Sequence, residues 1–323
     1  MILAGDVGAT KILLEAGDFR SERWQPLLAK RYLIDDFPNF YAVIAAFLQE
    51  WERVKPPRAR ITAAGVGIAG PVLGNKVKMT NRPWIIDGTA VSRRFAIPQA
   101  ILLNDLAAAA NGIDALGGRD VRTIQPGRVD ADAPRAVLGM GTGLGVAYMI
   151  PRDGEYEVVP GEGGHVGFSP SSAEQAHVWE GLFKQHGRVE AEHICSGMGI
   201  TNVYEVLKGE RERREPAWIS EGASKGDTLC ARTLDLIAEC LGNVAGDHAL
   251  AVMARGGVFL VGGVVAKIAP TFNAQRFREA FCAKGLFSAH LMKIPVKLVT
   301  NERLALIGAA RAATRANRGQ TIF

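Results

Sequence analysis

Apolar and polar positions change period several times along the chain, and each change marks an element. Ile2 to Gly5 and Lys11 to Ala16 read as two strands flanking a glycine turn, and Leu27 to Ile34 as a third. Between residues 38 and 53, Phe40, Val43, Ile44, Phe47, Leu48 and Trp51 recur at helical spacing, and Pro56-Pro57 predicts the stop. Ile61 to Ala69 is a β-rich run ending at Gly70-Pro71. Ile101 to Leu103 reads as a short buried strand, followed by an alanine-rich helix from Leu106 to Ala115. The pattern then restarts. Ala136 to Leu138 is a strand, Gly139 to Gly143 a glycine turn, and Gly145 to Ile150 a second strand, which points to an internal duplication. Ala173 to Arg255 reads as mainly helical. Val258 to Val261 and Pro295 to Val299 close the strands, and Leu304 to Ala313 is a helix of small residues.

Composition narrows the classes. The chain has 323 residues, 48% of them apolar and 22% charged, enough for two ordinary α/β cores. No apolar run is long enough for a membrane span, and the N-terminus lacks the basic region of a signal peptide, so a cytoplasmic protein with no membrane contact is expected. Cys195, Cys230, Cys240 and Cys282 form no C-x-x-C pair, which argues against a disulfide framework or structural zinc. The net charge of +5 is spread without a basic tract, which favours small anionic ligands over nucleic acid.

Four strings carry candidate chemistry. In Asp6-Val7-Gly8-Ala9-Thr10-Lys11 the turn between two strands brings backbone N–H groups, a hydroxyl and an ammonium to a phosphate, while Asp6 can hold Mg²⁺ through water. It lacks the spacing of a Walker loop. Gly141-Thr142-Gly143 lies in the corresponding turn of the restart, and the strand after it argues against a Rossmann site. Asn104-Asp105 ends a strand and starts a helix. There Asp105 is either an N-cap or a base facing the carboxyl edge of the sheet. In Gly161-Glu162-Gly163-Gly164-His165, the carboxylate and imidazole suit sugar hydroxyls. A further carboxylate comes from Glu190 or Glu192, between which spacing does not choose.

Taken together these strings resemble the bacterial glucokinase family, of the hexokinase/actin/chaperone-ATPase superfamily. The resemblance runs in order through Gly5 to Thr10, Met79-Thr80-Asn81, Leu103-Asn104-Asp105, Gly141 to Val146, Pro160 to Val166, Ala191-Glu192 before Ser196-Gly197, and Val258 to Gly263. It implies two ribonuclease-H-like domains of the actin/hexokinase type around a cleft, with mixed five-stranded sheets flanked by helices. A small domain is expected over 1–109 plus 304–323, and a large one with helical insertions over 110–303. It implies phosphorylation of glucose at the 6-hydroxyl by Mg-ATP, a step of glycolysis, in a homodimer. Asp105 matches the catalytic base. Asn104, Asp105, Glu162, His165 and Glu192 match the sugar-binding positions. Asp6, Gly8, Ala9, Thr10 and Lys11 match the first phosphate motif, Gly141, Thr142 and Gly143 the second, and Gly262 and Gly263 the adenosine motif.

Two departures stand out. Ala9 replaces a glycine, at a cost of about 1 kcal/mol if that position needs positive φ. Lys11 looks like the related repressor/open-reading-frame/kinase branch, but that branch's cysteine-rich zinc motif is missing after His165, so His165 is assigned to sugar. The competing readings are a kinase of fructose, mannose or an N-acetylated hexosamine, and a sugar- or nucleotide-binding regulator without turnover.

Overall fold

The computed structural model describes residues 1–79 and 82–320, so Thr80 and Asn81 of the expected Met79-Thr80-Asn81 string lie outside the described residues. The chain divides into two compact units: Met1–Gly117 with the segment from Arg303 onward, and Gly118–Glu302.

The first unit begins with β1 (Ile2–Val7), β2 (Lys11–Arg20) and β3 (Arg23–Leu33). Helix α1 (Phe40–Val54) follows, capped by Asn39, whose side-chain oxygen accepts from the Ala42 N–H at 3.0 Å. It buries Phe40, Val43, Ile44, Phe47 and Trp51, the face that the helical spacing predicts. Next come β4 (Ala63–Ile68), the small β5–β6 hairpin (Lys76–Lys78, Ile85–Asp87), α2 (Gly88–Phe95), β7 (Gln99–Asn104) and α3 (Asp105–Gly112). The main sheet has the order β3-β2-β1-β4-β7; β1, β4 and β7 are parallel, and β2 and β3 fold back antiparallel. Every residue of β4 is buried, as a central parallel strand covered on both faces requires.

The second unit contains β8 (Val121–Gln125), β9 (Arg135–Met140), β10 (Leu144–Arg152) and β11 (Glu155–Gly161). Helices α4 (Ala173–His186), α5 (Gly197–Lys208), α6 (Pro216–Ser224) and α7 (Thr228–Ala251) follow, then β12 (Gly257–Val261), α8 (Gly263–Ile268), α9 (Ala274–Cys282), α10 (Ser288–Leu291) and β13 (Val296–Val299). The sheet order is β11-β10-β9-β12-β13-β8. The pairing plan repeats that of the first unit: β9 is antiparallel to β10 and parallel to β12, as β1 is to β2 and β4. The sheet has six strands rather than the expected five, because β8 adds antiparallel to the outer side of β13. α7 is buried along most of its length and forms the axis of this unit's core.

The last helix, α11 (Leu304–Asn317), returns to the first unit. Leu306, Ala310 and Ala313 pack on Ile2, Ala4 and Ala63, while Ala309 and Ala312 pack on Leu103 and Ala108. Small residues make this approach possible. A methyl group on Gly308 would sit 1.7 Å from the Ala108 carbonyl oxygen, and one on Gly65 would sit 2.1 Å from that of Ala309. α3 thus packs on α11 down to Gly112, where an added methyl would meet the Leu304 carbonyl at 2.6 Å.

An ion pair ties the entry to α11 to the sheet. Arg303 Nη2 lies 2.6 Å from both oxygens of the buried Glu15, and Trp24 Nε1 donates to Glu15 Oε2 at 2.7 Å. Arg303→Ala removes the counter-charge of a buried carboxylate, and because Arg303 is itself half-exposed the expected loss is about 1–3 kcal/mol of unfolding free energy, read from urea denaturation.

Candidate active site

In the first unit, the parallel register aligns Asp6 with Gly67 and Gly67 with Leu103, so Asp6 and the β7–α3 junction lie at the same carboxyl edge of the sheet. Gly67 keeps that edge tight: a methyl there would meet the Ala108 side chain at 3.0 Å. The helix cap is Asn104 and not Asp105, because the Asn104 side-chain oxygen accepts from the Leu106 and Ala107 N–H groups at 2.9 and 3.2 Å. Its amide nitrogen points to the Gly70 carbonyl at 3.4 Å. Asp105 is the first helical residue, and one of its oxygens accepts from the Leu106 N–H at 2.8 Å. Capping is therefore done by the neighbour, and the Asp105 carboxylate is held at the N-terminus of α3, where the helix dipole favours negative charge.

Asp6 feels that carboxylate. Burial at the strand end, and then the negative charge of Asp105, push its pKa up to about 6. Hard oxygen ligands crowded in this way fit a divalent cation, whose charge relieves both effects. Among the described residues no group of three or more His, Cys, Asp or Glu side chains is placed to hold a metal.

The protonation of Asp6 carries a stability consequence in the metal- and nucleotide-free protein. Between the ordinary value of 3.8 and about 6 the folded state holds a proton that the unfolded chain releases, so stability falls as pH rises through that window. Asp6→Asn removes the penalty. The variant is expected to be more stable than the parent by about 1–2 kcal/mol at pH 7.5, with the gain shrinking towards pH 4, in paired denaturation curves.

The β1–β2 turn is closed by the Gly8 N–H donating to the Lys11 carbonyl at 3.0 Å, with Ala9, Thr10 and Lys11 exposed. Ala9 is not among the residues with positive φ, so the strain expected for alanine in a left-handed position does not arise.

In the second unit, the β9–β10 turn is pinned by the Gly141 N–H donating to the Gly143 carbonyl and the Gly197 N–H donating to the Gly141 carbonyl, both at 2.9 Å. Glu192 is drawn to this turn. Its Oε2 accepts from the Leu144 N–H at 2.8 Å, and a methyl on Gly143 would fall 2.2 Å from that same oxygen. Gly143 is thus needed for the approach of a side chain, which the spacing of the motif does not reveal. Gly262, at φ 107°, turns the chain from β12 into α8 where a methyl would strike the Met140 carbonyl at 2.5 Å; Gly263 faces open space.

Glu162 precedes a 3₁₀ turn over Gly163–His165, which ends on His165. His165 Nε2 is 4.0 Å from Glu162 Oε2, and His165 Nδ1 is 2.7 Å from Glu190 Oε2. The two acidic candidates therefore have separate partners: Glu190 holds His165, and Glu192 holds the glycine turn. Two supporting residues escaped the sequence reading. His248, buried on α7, accepts or donates through Nδ1 at 2.8 Å from the Tyr148 hydroxyl. Its Cε1 lies 2.8 Å from where a methyl on Gly163 would be. Burial lowers the His248 pKa, partly countered by Asp247 and by a hydrogen bond with the backbone of Gly163. The available signal was a lone polar ring among the apolar positions Val244, Ala245 and Ala249.

Nearly the whole sequence matches known proteins. The family model described as Glucokinase matches residues 3–316. A glucokinase of a Synechocystis species is 34% identical over 97% of this chain and 98% of its own length. One of Cupriavidus metallidurans is 36% identical over 84% of this chain and 83% of its own. Among solved structures, a glucokinase from an Antarctic psychrotroph superposes with a TM-score of 0.87 at 29% identity, over 97% of this chain and 98% of that one. A ROK family glucokinase from Streptomyces griseus, solved with glucose and AMPPNP, shares the fold at a TM-score of 0.63 and 19% identity, covering 97% of this chain and 99% of that one. With the two-unit α/β plan and the ordered strings already in place, these matches establish that the chain is an enzyme of the glucokinase family.

Proposed function

We propose that this chain transfers the γ-phosphoryl group of ATP to the 6-hydroxyl of glucose, giving glucose 6-phosphate and ADP. The observation that carries the reading is the placement of Asp6 and Asp105 at one carboxyl edge, close enough for the second charge to perturb the first. Asp105 takes the proton of the 6-hydroxyl as its oxygen forms a bond to the γ-phosphorus, and the bond to the bridging oxygen breaks with its electron pair leaving on ADP. Asn104, Glu162, His165 and Glu192 hold the remaining hydroxyls and fix the acceptor in a near-attack position. Backbone donors of the turns at Gly8 to Lys11 and Gly141 to Gly143 hold the phosphates, and Gly262-Gly263 leaves room for the adenosine. Mg²⁺, held through Asp6 and the nucleotide, would supply charge neutralisation at the phosphates.

A cytoplasmic homodimer belongs to the same reading. Four free cysteines suit a reducing compartment, and no helix among the described residues is long and apolar enough to cross a membrane. The decisive experiment is ADP release measured across hexoses, with ATP and with Mg²⁺ varied. Glucose is expected to give the highest kcat/KM. Faster turnover of fructose, mannose or an N-acetylated hexosamine would replace glucose as substrate, and no sugar-stimulated ADP release at all would leave a non-catalytic binding protein.

A further inference from the structure

Within the second unit, one carboxylate outside the proposed sugar contacts is engaged with the imidazole among them. Glu190 Oε2 lies 2.7 Å from His165 Nδ1, and its other oxygen lies 3.3 Å from Arg188 Nε. Arg188 also donates through Nη2 to the His165 carbonyl at 3.0 Å, so a single guanidinium grips both partners. The backbone fixes the same pair. The Phe168 N–H donates to the Val189 carbonyl, and the Ala191 N–H donates to the Val166 carbonyl, both at 2.9 Å, which holds residues 166–168 alongside 189–191. Finally, the Glu190 N–H donates to His193 Nδ1 at 3.2 Å, and the His193 ring stacks on His186 with centroids 4.3 Å apart.

Alone, a half-exposed imidazole exchanges tautomers and ring orientations freely. A carboxylate offers only acceptors, so the nitrogen facing it must carry the proton. We propose that Glu190 is a positioning residue of the sugar site: its carboxylate holds the Nδ1 proton of His165, so that the ring presents Nε2 on the Glu162 side in one fixed tautomer and orientation. The inference rests on the reading of His165 as a sugar contact. The charges facing the ring are Glu162, Glu190, Glu192 and Arg188, with His193 and His186 behind Glu190. The hydrogen bond that His165 donates to Glu190 is the largest influence on the ring and holds its imidazole above the ordinary value of 6.5, while the same bond holds Glu190 below its own.

The test uses full-length protein with labelled histidines, the His165 signal being assigned by its loss in His165→Gln. Nuclear magnetic resonance follows the titration and tautomer of that ring in the parent, Glu190→Gln and Glu190→Ala, alongside glucose kinetics. In Glu190→Ala the midpoint is expected to fall, the ring nitrogens to show a tautomer mixture, and KM for glucose to rise about 3–10-fold while kcat changes less. Glu190→Gln, which still accepts from Nδ1, is expected to keep the tautomer and most of the affinity while lowering the midpoint. An unchanged His165 titration and tautomer in both variants would overturn the proposal. A changed ring with unchanged KM in Glu190→Ala would also overturn it, provided His165→Gln raises KM. If His165→Gln leaves KM unchanged too, it is the assignment of His165 to sugar that fails, and the positioning role for the sugar site fails with it.

Discussion

Asp105→Ala is expected to lower turnover by at least ~10³-fold, with the affinity for glucose weakened far less. The expectation follows from position and not from residue type alone. The α3 cap is supplied by Asn104, so capping the first turn does not depend on the Asp105 side chain, which accepts from the Leu106 N–H. On the proposed reading, its removal takes away a general base, worth about 10²–10⁴-fold, and the orientation of the attacking hydroxyl. Asp105→Asn keeps the shape and loses only the proton acceptor, so it is expected to fall nearly as far. Steady-state ADP release and equilibrium sugar binding, run on the same preparations, separate the two effects. Activity above about a tenth of the parent in either variant removes Asp105 from the role of base.

Gly308→Val is expected to cost about 3 kcal/mol or more of stability and to disturb the start of α3, where Asp105 sits. The first added carbon would lie 1.7 Å from the Ala108 carbonyl oxygen and 2.6 Å from the Gly112 N–H. Both are helix backbone, which cannot swing aside as a long side chain can. The helices α3 and α11 must therefore separate, which also loosens Ala309 and Ala312 from Leu103, the strand residue just before Asn104. Urea denaturation gives the free energy. Gly263→Ala is the control: open space surrounds that position, and stability should change by less than about 1 kcal/mol.

The long, strongly periodic elements were legible before any coordinates. The spacing of Phe40, Val43, Ile44, Phe47 and Trp51 gives α1 within a residue or two, and the two strand–turn–strand units appear as β1–β2 and β9–β10. What stayed hidden is short or mixed in polarity. β8 and β11 expose much of their length, and α9 buries only Phe277, Ala280 and Phe281. The candidate site divides the same way. Its strings could be read in order, but hydrogen bonds between distant segments decide the work of individual residues. Only the folded chain shows that Asn104 and not Asp105 caps α3, that Glu190 meets His165 while Glu192 meets Leu144, and that Tyr148 meets His248. Ala9 is the converse case, where a feared strain depends on a dihedral angle that spacing does not report.

The return of α11 to the first sheet governs the order in which a growing polypeptide can mature. When Gly118–Glu302 has left the ribosome, that unit holds all its own parts and can fold at once. The earlier-made strands β1 and β4 still wait, with Ile2, Ala4 and Ala63 lacking their cover until residues 304–317 emerge. Synthesis from the N-terminus therefore lets the later unit assemble first, and the half bearing Asp6 and Asp105 gains its final packing only once residues 304–317 have emerged.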